Sequence, residues 1–357
     1  MIGLAVFCLL GIPAGFLLLW RLPTCASHGS SCHNPVSIII PARNEEANLP
    51  RLLASIRSSA SQPSEVLVVD DASTDATAAL AGSGGARVLQ SRSLPSGWTG
   101  KTWACHQGAL EAGSDILLFL DADTYFPRDG YRKIADAYCG LGDARSAVSV
   151  LPYQAIEKPY EELSLFFNLL MAMGAGGFGL LGSPQLFGQS LMISRDLLSA
   201  SGGHQAVSSH ILENLVLASK VKSVGGRCIC FVGRGILNVR MFPGGLTQLC
   251  EGWTKAFADG AAASSGLVLL AAVFWLTALS TCFLALLLAP GMGRATFGIL
   301  YLGFASQLFL FARQIGNFNP LTCLLYPVPL FFYFCLFAQS LYRKLLGRKV
   351  SWRGRTI

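Results

Sequence analysis

Asp121 and Asp123 stand one residue apart at the end of the apolar run Ile116–Leu120, in the stretch GSDILLFLDADTYFPRDG. Like charges at that spacing repel, and the end of a buried strand solvates them poorly. If the backbone stays extended beyond Leu120, both carboxylates point the same way, because side chains alternate along a strand. Two convergent carboxylates call for a cation, and a hard divalent ion completed by substrate phosphate meets that need. The competing reading is an Asx-type turn in which the aspartates cap the next helix. Asp-x-Asp alone does not decide between the two.

The elements that must position the pair narrow the choice. Five apolar residues bounded by Gly113-Ser114-Asp115 and Pro127-Arg128-Asp129-Gly130 predict a strand buried on both faces, as in parallel sheets covered by helices. Val36–Ile40 predicts a first strand that runs into Pro41-Ala42-Arg43-Asn44-Glu45-Glu46, and residues 47–58 have helical spacing at Leu49, Leu52, Leu53 and Ile56. Val66–Val69 predicts a second strand, closing in Asp70-Asp71-Ala72-Ser73-Thr74-Asp75; a short helix, a strand at Arg87–Leu89 and a helix at Lys101–Glu111 come next. This alternation implies βαβ units, an α/β fold and a mostly parallel sheet. The first, second and fourth strands all end in acid-bearing loops, at the strand ends where such sheets bind ligands. No Gly-x-Gly-x-x-Gly succeeds the first strand, and the chain has neither a P-loop nor a Gly-x-Ser-x-Gly elbow. A dinucleotide fold, a P-loop enzyme and an α/β hydrolase are therefore disfavoured.

Of the 357 residues, 52% are hydrophobic and only 13% charged, about half the charged share of a soluble domain. The charges divide the chain. Residues 2–20 and 261–293 carry none, and from there to Leu341 only Arg294 and Arg313 interrupt the apolar run. The reading is a membrane anchor at 1–21, a linker at 22–35, an α/β domain at 36–240, an interfacial helix region at 241–265, membrane segments at 266–342 and a basic tail at 343–357. The tail holds Arg343, Lys344, Arg348, Lys349, Arg353 and Arg355, and the last sixteen residues of the chain contain no acid. That tail, within a net charge of +7, suits an anionic leaflet and does not call for nucleic acid. Gly266–Ala289 is the surest span, Ala295–Ala312 a second, and Leu321–Leu341 a third, broken midway by Pro327 and Pro329. Leu163–Gly182 is uncharged but glycine-rich, and reads as an apolar flap at the bilayer surface. The eleven cysteines have no paired spacing, which favours a reducing compartment. Cys25, His28, Cys32 and His33 make only a superficial zinc pattern.

Four pieces in order, VSIIIPARNEE, VLVVDDASTDAT, GWTGKTWACHQGAL and DILLFLDADT, resemble the inverting family 2 glycosyltransferases of the GT-A fold across about residues 36–220. GWTGKTWAC and the tail YRKLLGRKVSWRGR are similar to the membrane subgroup of bacterial carotenoid-acid pathways, the diaponeurosporenoate type. The resemblance implies that Pro41, Ala42, Arg43 and Glu45 line the nucleotide, with Asp70 and Asp71 at the base. It also implies Asp121 and Ala122 at the ribose, Asp123 on a Mg²⁺ or Mn²⁺ ion, and Lys101 beside the phosphates. The partners implied are a nucleotide-sugar donor and a lipid acceptor in the membrane.

Two departures refine that picture. The family's acidic pair at the acceptor helix, whose aspartate is the usual base, reads Glu213-Asn214 in SSHILENLVLASKVKSVGG. Asparagine cannot take a proton, so either Glu213 is the base or the acceptor needs none. An alcohol, about as weak an acid as water at pKa ~15.7, wants a base. A carboxylic acid, pKa about 4.3, is already ionised, and so is a phosphate. The acceptor expected is thus a carotenoid acid, giving a glycosyl ester, with a polyprenyl phosphate or diacylglycerol as alternative and a non-catalytic scaffold as the rival of another class. The family's membrane-proximal Gln-x-x-Arg-Trp is answered only by Gln248, Trp253 and Lys255, at shifted spacing. These residues are expected at the acceptor and membrane interface. The donor's water solubility places the catalytic domain on the cytoplasmic side of a multi-pass protein.

Overall fold

The computed structural model describes the chain apart from residues 26–30, 176, 211, 264, 346–350, 353, 354 and 357; at 175, 255–263, 343–345, 351, 352, 355 and 356 it describes only the backbone. The chain forms two compact units, an α/β unit of residues 23–153 and 184–240 and a helical unit of residues 1–22, 154–183 and 241–357. The domain expected at 36–240 is therefore interrupted, with 154–183 grouping with the chain ends.

Seven strands make the main sheet of the α/β unit: β1 Val36–Ala42, β2 Glu65–Asp70, β3 Arg87–Gln90, β4 Ile116–Leu120, β5 Ser146–Leu151, β6 Ser190–Ser194 and β7 Arg227–Val232. Their order is β3-β2-β1-β4-β6-β5-β7, and only β6 runs against the rest. β4, β5 and β6 are buried at every position, as a sheet covered on both faces requires. Alternate residues feed two cores. Ile38, Ile40, Leu118 and Leu120 pack with Leu49, Leu52, Leu53 and Ile56 of the helix Leu49–Arg57. Ile39, Val69, Leu117 and Phe119 pack on the opposite face with Ala104 and Leu217. The helix Gly100–Glu111 lies close against β1 and β2 because residue 108 is glycine: a Cβ there would sit 2.4 Å from Ile39 Cγ2. Parallel β2, β1 and β4 are neighbours, so the loops after Asp70, Ala42 and Leu120 share one rim.

A disulfide joins Cys32 to Cys139 across 107 residues of sequence. Spacing along the chain could not reveal so distant a partner, and the cysteine argument for a reducing compartment falls. Cys32 is also removed from the superficial zinc pattern, while His28 lies outside the described residues.

In the helical unit, Gly266–Leu288 and Gly291–Ile315 are the two helices among the described residues long and apolar enough to cross a membrane. Ile2–Leu18 has 17 residues, about 25 Å, and falls short of the ~30 Å of hydrocarbon that the expected anchor was to span. It packs tightly through Gly11 and Gly15, where added Cβ atoms would lie 2.3 Å from Ala278 Cβ and 2.6 Å from Trp275 Nε1. Buried Gln307 accepts a hydrogen bond from Trp275 Nε1 (2.9 Å) and donates one to the Ile12 carbonyl (2.6 Å). The third expected span is two helices, Pro320–Leu324 and Pro327–Leu345. The break falls before Pro327, not midway through the segment. Pro327 and Pro329 sit in the first turn of the second helix, where a missing amide hydrogen costs nothing. The expected flap is also revised. Its helix, Leu165–Ala175, has 11 residues, and Leu165, Phe166, Phe167 and Leu169 are fully buried.

Candidate active site

The loops after β1 and β2 hold each other in place. Asn44 Oδ1 accepts from the Thr74 amide (2.9 Å), the Asn44 amide donates to Ser73 Oγ (3.0 Å), and the Ala76 amide donates to Glu46 Oε2 (3.1 Å). Asn44 and Ala72 adopt left-handed φ values of 54° and 55°. Asparagine tolerates that region; alanine pays roughly 1–2 kcal/mol, strain of the kind retained at binding loops. Arg43 Nη1 donates to the Asp71 carbonyl (2.7 Å) and lies 3.8 Å from its carboxylate. Pro41 and Ala42 pair with Val69 and Asp70 across the strands. Glu45, Asp70 and Asp71 are buried. Glu45 accepts from Asn48 Nδ2 (2.9 Å), and Asp70 Oδ1 from the Ser73 amide (3.3 Å). The rim thus gathers the residues expected to line a nucleotide.

Beyond Leu120 the chain does not stay extended. The Thr124 amide and hydroxyl both donate to the Asp121 carbonyl, at 3.1 and 2.8 Å, closing a turn through Ala122 and Asp123. Alternation therefore does not set the direction of the two carboxylates; a turn does. Lys101, in the first turn of the helix that Thr99 caps, reaches this point. Its ammonium lies 2.8 Å from Asp121 Oδ1, 2.9 Å from Glu213 Oε1 and 2.8 Å from the Gly188 carbonyl. Burial works to lower the lysine pKa, but the carboxylates of Asp121 and Glu213 outweigh it and hold the group above the usual lysine range. Burial raises the pKa of Glu213 in spite of the lysine.

Asn214, where the chain departs from the family's acidic pair, donates from Nδ2 to the Phe187 carbonyl at 2.7 Å, and the residue is buried. An aspartate could not make that bond. Phe187 and Gly188, which anchor Asn214 and Lys101, are site residues the sequence did not single out. They lie just before β6 and contribute backbone carbonyls, which leave no mark in residue type.

Several polar and aromatic side chains of the chain serve packing. His204 is buried, with its ring centroid 4.7 Å from that of Phe119, and burial pushes its pKa down to about 3. The unfolded chain takes up a proton near pH 6.5, long before the folded one. Stability should therefore be full above about pH 6.5 and fall as pH drops below it. His204→Phe should flatten that decline, measured as unfolding midpoints at pH 7 and pH 5; an unchanged slope would contradict it. Trp98 and Trp103 pack edge-to-face at 5.0 Å, both against His106. Trp253, expected at the acceptor and membrane interface, is not exposed. It is buried in the helical unit, stacked on Phe167 at 4.8 Å, with its Nε1 donating to Ser164 Oγ. Gln248 accepts from the Gly244 amide (2.8 Å), and the side chain of Lys255 lies outside the described residues.

Asp121 and Asp123 are hard oxygen donors. No group of three or more His, Cys, Asp or Glu residues suited to a metal occurs among the described residues. A protein that offers one or two carboxylates and leaves the other positions to phosphate oxygens and water fits Mg²⁺ or Mn²⁺, not a closed structural site.

The family model for glycosyl transferase family 2 matches residues 37–200. The 4,4'-diaponeurosporenoate glycosyltransferases of Staphylococcus aureus strains MRSA252 and USA300 are each 32% identical over 332 residues, covering 90% of this chain and 88% of theirs. The mannosyltransferase from Pyrobaculum calidifontis, solved with GDP-Man and Mn²⁺, aligns at a TM-score of 0.55 and 19% identity over 96% of this chain and 99% of its own.

Proposed function

Because this chain belongs to glycosyl transferase family 2 and is a glycosyltransferase, we propose that it moves a sugar, glucose in the simplest case, from a nucleoside diphosphate to the carboxylate of a carotenoid acid. The observation that carries this reading is the state of the expected base. Asn214 is tied to the Phe187 carbonyl, and Glu213 is paired with Lys101. An acceptor that is ionised on arrival needs neither. Its carboxylate oxygen attacks the anomeric carbon, the bond from that carbon to the diphosphate oxygen breaks, and the nucleoside diphosphate leaves with the electron pair. No proton has to move, and a single displacement inverts the anomeric centre. The acceptor in the relatives' name, 4,4'-diaponeurosporenoate, is the anion of such an acid.

In this reading Pro41, Ala42, Arg43, Glu45, Asp70, Asp71, Asp121 and Ala122 form the donor side. Asp123, with Asp121, would hold Mg²⁺ or Mn²⁺. When bound, the ion supplies Lewis acidity to the leaving diphosphate. Arg43, already anchored to Asp71, orders the nucleotide end of the rim.

The α/β unit faces the cytosol, where nucleotide sugars are. Two spans, Gly266–Leu288 and Gly291–Ile315, would return the basic tail to the same side, in keeping with the positive-inside rule. A reporter at Ile357 tests this; an external tail would require an odd number of crossings after the α/β unit.

Glu213→Gln should slow transfer by less than about tenfold, whereas loss of a general base costs about 10²- to 10⁴-fold. A drop at the upper end, with acceptor binding intact, would make Glu213 the base and remove the case for an ionised acceptor.

A further inference from the structure

Lys101 is expected, from its place at a helix start, to meet the donor's phosphates. Its contacts say otherwise. An ammonium has three N–H donors, and Lys101 has three partners: Asp121 (2.8 and 3.1 Å to its two oxygens), Glu213 Oε1 (2.9 Å) and the Gly188 carbonyl (2.8 Å). A diphosphate oxygen could be reached only by giving one of these up, and giving up Glu213 would leave a buried carboxylate without its ion pair. Residue 188 is glycine where the partners converge: a Cβ there would stand 3.6 Å from Lys101 Nζ and 3.9 Å from Glu213 Oε1. A second tie leaves the same helix start. The Thr99 amide and the Thr102 hydroxyl both donate to the Ser208 carbonyl, at 2.8 and 2.7 Å, in the segment leading to Glu213.

We propose that Lys101 is a positioning residue for the acceptor side of the site and not a ligand of the donor diphosphate. Its ammonium fastens the Gly188 carbonyl and the helix that begins at Glu213 to the strand-end carboxylate Asp121. This rests on the reading of the rim as a sugar-transfer site. Glu213 is then present chiefly as the counter-charge that holds Lys101, which explains an acid beside an asparagine where a base would otherwise stand.

The test is a double-variant cycle of Lys101→Met, Glu213→Gln and the pair on the full-length protein, reading UDP affinity in the presence of Mn²⁺ by calorimetry and, separately, kcat and the acceptor KM. In Lys101→Met, UDP affinity should stay within about threefold, while kcat over acceptor KM falls by about a hundredfold. Adding Glu213→Gln should restore about tenfold of that loss, because the unbalanced carboxylate has gone. UDP affinity weakened about tenfold or more, with no recovery in the pair, would overturn the proposal. If Lys101→Met does not fold, the UDP affinity of the paired variant decides by the same limits. Wild-type protein that binds UDP with Mn²⁺ but glycosylates no carotenoid acid would refute the acceptor reading, and the affinity arm would still decide the role of Lys101.

Discussion

Asp123→Ala should lower sugar transfer by about 10³-fold or more while leaving the α/β unit folded. Asp123 lies in the turn after β4, whose closing hydrogen bonds run from the Thr124 amide and hydroxyl to the Asp121 carbonyl, so the turn does not depend on the carboxylate at 123. Charge at the diphosphate does. Asp121 is engaged by Lys101 at 2.8 Å, and Asp123 is the carboxylate expected to hold the cation. Removing it takes a negative charge from a position where the donor's own charge has to be offset. The check is turnover against Mn²⁺ concentration, with the far-ultraviolet circular dichroism of both proteins alongside. Turnover that still rises with Mn²⁺ in Asp123→Ala would contradict the assignment.

Restoring the family's usual aspartate should harm this protein. Asn214→Asp replaces an amide that donates to the Phe187 carbonyl at 2.7 Å with a carboxylate facing that carbonyl. The site is buried and already adjoins Glu213. Loss of a buried donor costs about 1–3 kcal/mol, and more when a charge takes its place. An unfolding free energy lower by about 3 kcal/mol is expected, with no gain in kcat. An unchanged unfolding transition together with faster transfer to an alcohol acceptor would mean that position 214 remains a base site in waiting.

Much of the α/β unit was legible because its signals are local. The five apolar residues of β4, the β-branched run of β1 and the period of Leu49, Leu52, Leu53 and Ile56 each state their own burial. The shared rim came from βαβ connectivity, which makes neighbouring strands parallel. The features that escaped were non-local or carried by the backbone. Alternation promised two parallel carboxylates, but a turn at Asp121–Thr124 overrides it through two bonds to one carbonyl. The partners of Lys101, Glu213 and Gly188, lie 112 and 87 residues further along the chain, out of reach of any local pattern. Trp253 and the segment around Phe167 looked like surface features because hydropathy reports apolarity, not which apolar faces meet; they meet each other. The Cys32–Cys139 pair is hidden for the same reason.

The central claim is transfer to an ionised carboxyl group, and product chemistry tests it most directly. Membranes containing the full-length protein are supplied with UDP-glucose, Mn²⁺ and a carotenoid carboxylic acid, and the lipids are analysed by mass spectrometry before and after mild alkali. A hexose adduct of the carotenoid acid that alkali cleaves back to the free acid is expected, formed together with UDP and absent with Asp123→Ala. A sugar found on polyprenyl phosphate or on a hydroxyl group, with the carotenoid acid untouched, would contradict it.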